Sequence, residues 1–203
     1  ADVIVSRGTL IFIPDIGKFL REVDRVLKPT GVAFLGGRYV YTPRAYRISI
    51  EKLKKIVEQC GRKGIPFLVI ITADFSETGP EGAALEARVI ALARKYGVRL
   101  VGPNSMGIFS AQTELHALMP PTMSRKGPAA MFSQSGNVGV QMLAWGTDEG
   151  VGFEKFVSSG NEGDLTCVDY IRYFGRDKAT NVILGYLEGV DSGSEFISAA
   201  AEI

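Results

Sequence analysis

The chain has 203 residues, 46% of them hydrophobic and 22% charged, with a formal net charge of +1. That balance fits a globular protein with a sizeable core and gives no electrostatic footprint for nucleic acid or an anionic membrane surface. No apolar run reaches bilayer length, the N-terminus lacks a signal-peptide pattern, and Cys60 and Cys167 form no CxxC or metal cluster, so a cytoplasmic chain with reduced thiols and no metal is expected.

The chain opens with Val3, Ile4 and Val5, a short apolar run that predicts a buried strand. Residues 15–27 predict an amphipathic helix: Phe19, Leu20, Val23, Val26 and Leu27 share a face, Asp15 suits the N-cap, and Lys28-Pro29-Thr30-Gly31 stops it. A strand follows over 32–35. After a loop rich in Tyr and Arg, residues 50–60 predict a helix with Leu53, Ile56 and Val57 inward. Residues 67–71 predict a strand. A helix over 81–96 follows, with Leu85, Val89 and Leu92 on one face and Gly97 at its end, and then a strand over 98–101.

Residues 107–127 contain Pro120-Pro121 and little periodicity, and predict a linker. Beyond it come a strand over 128–132, a helix from about 138, a strand over 153–157, a helix over 165–174, a strand over 182–187 and a helix from 194. Twenty-four glycines, many just after apolar runs, suit strand-to-helix crossings. Seven strands alternating with helices predict a parallel α/β chain in two parts. A Rossmann-like unit occupies 1–108, a linker 109–127, and a partial flavodoxin-like domain 128–203.

Ser133-Gln134-Ser135-Gly136-Asn137 lies where a strand runs into a helix. A turn of this composition presents backbone N–H groups and two hydroxyls at a helix N-terminus, where partial positive charge suits a phosphate or carboxylate. Gly136 lets a ligand approach the backbone. The same residues also fit a capped helix with no ligand. Glu188 ends a predicted strand, where parallel sheets place functional groups, although on the residues alone a solvated carboxylate is the commoner case there. Asn104 follows another strand end and suits a turn as well as a ligand contact.

Five motifs carry a family resemblance: Ile71-Thr72-Ala73-Asp74-Phe75-Ser76-Glu77, Tyr96-Gly97-Val98-Arg99-Leu100-Val101-Gly102-Pro103-Asn104, Ser133-Gln134-Ser135-Gly136, Lys155-Phe156-Val157-Ser158-Ser159-Gly160-Asn161 and Tyr186-Leu187-Glu188-Gly189. From about Gly61 onward the chain resembles the CoA-binding part of NDP-forming acyl-CoA ligases, the acetyl-CoA and succinyl-CoA synthetases. The resemblance implies a Rossmann-type CoA-binding domain followed by a flavodoxin-like domain. It implies that Ile71, Thr72, Ala73 and Asn104 contact CoA, and that Ser133, Gln134, Ser135, Gly136 and Asn137 hold a phosphoryl group. Val140, Ser159, Gly160 and Asn161 would meet substrate, and Glu188 would orient a phosphorylated histidine. It further implies CoA and phosphate as ligands, with the nucleotide reached only through a missing ATP-grasp domain or subunit. The family's histidine lies downstream of Glu188, and no histidine follows Glu188 here. An incomplete unit with weak CoA binding and no turnover alone is therefore expected.

Residues 1–60 resemble something else. The opening strand with Ser6-Arg7-Gly8, then Arg25-Val26-Leu27-Lys28-Pro29-Thr30-Gly31 and the strand after it, are similar to the second half of a class I SAM-dependent methyltransferase. That family's Gly-rich loop and ribose-binding acid have no counterpart here, so no SAM binding is expected. The two resemblances meet near Glu58-Gln59-Cys60-Gly61. A chimeric, non-catalytic α/β module with vestigial sites is the alternative reading, and a methyltransferase ranks below it. His116, the single histidine, lies before the phosphate-site strand and is expected to have no catalytic part.

Overall fold

The computed structural model describes residues 3–7, 32–36, 50–120, 122 and 124–203. The helix expected over 15–27 and the Tyr- and Arg-rich loop lie outside the described residues. The chain divides into two compact units, Ala1–Asn104 and Ser105–Ile203.

In the first unit, four parallel strands stand in the order β1-β2-β3-β4. These are β1 (Val3–Arg7), β2 (Val32–Gly36), β3 (Phe67–Ile70) and β4 (Arg99–Val101). Helix α1 (Ile50–Arg62) precedes β3 and α2 (Pro80–Lys95) follows it. Leu53, Ile56, Val57 and Cys60 of α1 form one core with Leu68, Ile70, Val89, Ala93, Val98 and Leu100. Pro80 starts α2, where its missing N–H costs nothing. Gly97, at φ 71°, turns the chain out of it. The buried stripe of α2 is Gly82, Glu86, Val89 and Ala93, whereas Leu85 and Leu92 are only partly buried. Glu86 is tolerated inside because its carboxylate accepts the Ser76 N–H at 3.1 Å. The two helices dock at Gly61, where any Cβ would stand 2.2 Å from Cβ of Tyr96. The Tyr96 hydroxyl donates to Glu58 Oε1 at 2.8 Å beside that contact.

In the second unit, five strands take the order β6-β5-β8-β7-β9. They are β5 (Gly107–Ser110), β6 (Leu115–Leu118), β7 (Ala129–Ser133), β8 (Phe153–Ser158) and β9 (Val182–Tyr186). Helices α3 (Gly136–Asp148), α4 (Cys167–Gly175) and α5 (Gly193–Ala201) complete it. β7 pairs in parallel with β8 on one side and β9 on the other. The crossover from β7 to β8 therefore runs one way along the sheet, and the crossover from β8 to β9 runs the other way. Right-handed crossovers in opposite directions put α3 and α4 on opposite faces and make the end of β7 a topological switch point.

Two expectations are corrected here. The stretch read as a linker over 109–127 contributes to a β-hairpin: β5 pairs antiparallel with β6 and with β8. Four-residue strands give too short an apolar run to stand out in the sequence, yet Phe109, Ala117 and Leu118 are buried. The second sheet is consequently mixed rather than wholly parallel, and the described residues hold nine strands rather than seven.

The core of this unit gathers Phe109, Leu118, Ala129, Met131, Leu143, Phe153 and Phe156. Helix α3 comes down on it through Gly139, where a Cβ would lie 2.6 Å from Cζ of Phe156 and 2.8 Å from Cβ of Ser133. The register of β7 on β8 slips by one residue, Ala129 facing Phe153 and Ala130 facing Lys155. Glu154 is the extra residue of this bulge. It is buried, and its Oε1 has no hydrogen-bond partner. Lys155 Nζ lies 3.9 Å from that oxygen and pairs more closely with Asp177 Oδ2.

Candidate functional site

Three loops meet at the carboxyl ends of β8, β7 and β9. The β7 ladder runs to Ser133, which is opposite Ser158 on β8 and Tyr186 on β9. The Ser159 N–H donates to Ser133 O at 2.8 Å, and the Gln134 N–H to Tyr186 O at 3.1 Å. Residues 133–137, 158–161 and 186–189 are thereby fastened side by side at the switch point, where open α/β sheets bind ligands.

Each expected site residue has a place. Ser135 is the N-cap of α3, its hydroxyl accepting the Val138 N–H at 3.5 Å. The Gly136 and Asn137 N–H groups open α3, and among the described residues no hydrogen bond occupies them. Ser133 is fully buried, and its hydroxyl donates to Ser135 O at 2.5 Å. It shapes the turn, and its hydroxyl is already engaged within the loop. The Gln134 side chain is engaged likewise. Its Oε1 accepts the N–H groups of Glu188 at 2.5 Å and Gly189 at 3.0 Å, and its Nε2 donates to Gly189 O at 2.9 Å. Val140 is buried on the inner side of α3 with Gly139, Leu143 and Gly146.

Ser159 is completely buried, and its Oγ has no hydrogen-bond partner. An orphan buried hydroxyl is a group whose partner can arrive with a ligand. Gly160 takes φ 61°, and Asn161 is half-buried. Glu188 is exposed, two residues past β9.

Sequence reasoning missed the layer that holds this crevice. Ser105 Oγ donates to Ser158 O at 2.6 Å and accepts the Gly107 N–H at 3.0 Å, and Ser158 Oγ accepts the Met106 N–H at 2.8 Å. Nothing in an isolated serine announces a 53-residue span to its partner. Glu162, at φ 54°, accepts the Cys167 N–H at 2.9 Å, beside the Thr166–Asp169 capping box that starts α4. Burial pushes the Cys167 thiol up to about 11, and the Glu162 charge adds to it; burial does the same for Cys60. Both thiols are buried and stay protonated near neutrality.

His116 lies in β6, at the far edge of the sheet. It is opposite Phe109, which is opposite Phe156, which is opposite Met131. Three strand spacings, about 14 Å, separate it from β7. Its ring meets that of Phe109 at a centroid distance of 4.8 Å, tilted by 58°.

In the first unit, the Asn104 N–H donates to Thr72 O at 2.9 Å, so these two expected CoA contacts adjoin at the ends of neighbouring parallel strands. Thr72 and Ala73 are half-buried, whereas Ile71 is 7% exposed. The loop beyond folds onto Glu77 Oε1, which accepts the N–H groups of Asp74 at 2.6 Å and Phe75 at 3.1 Å. The order β1-β2-β3-β4 adds every strand on the same side, so no switch point arises among the described strands.

A mixed flavodoxin-type sheet with an anion-ready helix terminus at its switch point, preceded by a parallel nucleotide-type sheet, defines the class. Residues 126–203 match the family model of the succinyl-CoA ligase like flavodoxin domain. ADP-forming acetate–CoA ligase I of Archaeoglobus fulgidus is 42% identical over 156 residues, 77% of this chain and 23% of the relative. The alpha subunit of ADP-forming acetate–CoA ligase I of Pyrococcus furiosus is 38% identical over 149 residues, 73% of this chain and 32% of that subunit. The apo structure of the dinucleotide forming acetyl-coenzyme A synthetase 1 of Ca. Korarchaeum cryptofilum superposes with a TM-score of 0.77 at 32% identity, covering 89% of this chain and 37% of that one. Its complex with phosphate and ADP gives 0.75 at 28% identity, covering 99% and 47%. The chain is thus homologous to an α-subunit-like portion of ADP-forming acyl-CoA ligases, and it spans about a quarter to a third of the length of these curated relatives.

A methyltransferase domain model matches residues 1–35 only. A match of 156 residues in a chain of 203 begins no later than residue 48. The meeting point of the two resemblances therefore lies upstream of α1, not within it near Cys60. No helix among the described residues is long and apolar enough to cross a membrane.

Proposed function

We propose that this chain forms the CoA-facing and phosphohistidine-facing part of an NDP-forming acyl-CoA ligase, which converts acyl-CoA, NDP and phosphate into the free acid, CoA and NTP. The observation that carries the reading is the convergence of the α3 N-terminus, the orphan hydroxyl of Ser159 and the exposed carboxylate of Glu188 on one switch point. In the overall reaction, phosphate displaces CoA from the thioester to give an acyl phosphate. The phosphoryl group then passes to an imidazole nitrogen, releasing the carboxylic acid, and from there to NDP. The N–H groups of Gly136 and Asn137 stabilise the phosphoryl oxygens with the helix terminus behind them. Glu188 accepts the other imidazole N–H and so fixes which nitrogen is nucleophilic. Thr72, Ala73 and Asn104 supply one wall for CoA, so binding through them alone is weak. The nucleophilic histidine, and an ATP-grasp domain or subunit for the nucleotide, come from outside these 203 residues.

The test is a titration with inorganic phosphate, followed by amide NMR. Shifts should concentrate at Gly136, Asn137 and Ser159. Affinity should be millimolar or weaker, because a helix terminus contributes only about 0.3–2 kcal/mol. Shifts confined to surface lysines, with the α3 amides unmoved, overturn the phosphate site. Acetyl phosphate should leave no acid-labile label on the wild type or on His116→Ala.

A further inference from the structure

Gln134 spends its whole side chain on the backbone of the Glu188 segment. The β7–β9 ladder ends with the bond from the Gln134 N–H to Tyr186 O. Beyond that point residues 187–191 belong to neither strand nor helix. There the Gln134 carboxamide takes over from the backbone. It accepts from both Glu188 N and Gly189 N and donates to Gly189 O, at 2.5, 3.0 and 2.9 Å. One side chain thus supplies two acceptor contacts and a donor, which a further residue of β7 would otherwise provide. Gln134 is bonded directly to Ser135, the N-cap of α3. The tie therefore sets the Glu188 backbone at a fixed offset from the N–H groups of Gly136 and Asn137, while the Glu188 side chain stays exposed.

We propose that Gln134 is a positioning residue: it locks the Glu188 carboxylate onto the anion-binding terminus of α3, so that the two act on one ligand. The proposal rests on the phosphate-site reading above for its consequence, but the lock itself is independent of any ligand. No other amino acid repeats the whole pattern. Glutamate keeps both acceptors and loses the donor to Gly189 O. Alanine loses all three bonds and leaves the Glu188 and Gly189 amides to water. Leucine keeps the bulk without any bond.

The experiment has two arms on the full chain. In the first, amide hydrogen exchange at Glu188 and Gly189 is compared in wild type, Gln134→Ala, Gln134→Leu and Gln134→Glu. Protection should fall by about tenfold or more in Ala and Leu and be largely kept in Glu. Unchanged protection in Gln134→Leu, with the fold intact by circular dichroism, overturns the lock. In the second arm, inorganic phosphate is titrated at pH 8 into wild type, Glu188→Gln, Gln134→Leu and the double variant. Removing the Glu188 charge should tighten phosphate by about two- to fivefold in the wild-type background, because the locked carboxylate repels the dianion. In the Gln134→Leu background that gain should vanish. An equal gain in both backgrounds overturns the positioning role. Absence of any phosphate binding by wild type would refute the phosphate site, and the exchange arm would still decide the lock.

Discussion

Replacing Gly139 by alanine tests whether the close approach of α3 to the sheet is real. Two effects oppose each other. An alanine inside a helix is favoured over glycine by about 1 kcal/mol. Against that, the new methyl would stand 2.6 and 2.7 Å from two atoms of the Phe156 ring and 2.8 Å from Ser133 Cβ. Phe156 and Ser133 are both fully buried, so neither can swing aside. Overpacking of a tight core costs about 1–3 kcal/mol, and this site falls in the upper part of that range. The net loss is about 1–2 kcal/mol. In a unit of about 100 residues this lowers the melting temperature by roughly 5–15 °C. Thermal unfolding followed by circular dichroism reads it. Gly193→Ala is the control: a Cβ there meets nothing within 4 Å, and stability should change by no more than about 0.5 kcal/mol. A Gly139→Ala protein that melts at or above wild type would refute the packing argument, because helix propensity would then have won.

The Lys155 hydrogen bond holds the Asp177 carboxyl below its ordinary value. A depressed carboxyl contributes stability that is present above the unfolded value near 4 and is lost as pH falls through the lower folded value. Urea midpoints of wild type should therefore fall from pH 5 toward pH 3 more steeply than those of Asp177→Asn; parallel curves would remove the pair from the account. Asp74 sits at φ 77° without being glycine, so Asp74→Gly should raise stability by about 0.5–1 kcal/mol in denaturant titration. A loss would mean that its side-chain interactions outweigh the backbone cost. Cys60 and Cys167 should resist a thiol reagent at pH 8 in the native chain and react promptly in denaturant, since both are buried with raised pKa.

What was legible in the sequence was whatever rested on local pattern. The inward residues of α1, the Gly97 stop and the turn from β7 into α3 all stand close to where periodicity and glycine placement put them. The hairpin of β5 and β6 was hidden because four-residue strands carry no period of their own and the partner of β5 on its other side, β8, lies some 45 residues away. At the site, the backbone elements were readable and the side-chain roles were not. Ser133 and Gln134 look like ligand donors by composition. Their groups are already taken by Ser135 O and by the Glu188–Gly189 backbone, and only the fold brings those partners within reach. Glu86 was invisible for the same reason, since its acceptor role depends on a loop ten residues earlier.

The pairing of β2 with β3 joins the two matched stretches. Ala33, Phe34 and Leu35 lie opposite Leu68, Val69 and Ile70 in parallel register. The first three fall within the stretch matched by the methyltransferase model, and the latter three lie in the ligase-like part. The seam is a ladder of amide-to-carbonyl bonds, and such bonds are blind to the identity of the side chains they run between. A strand laid at that edge need only have the right direction and length. The ligase-like part carries α1 with it and retains its own helix-on-sheet core. The edge of a parallel sheet is, in this sense, a joint that tolerates very different neighbouring sequences.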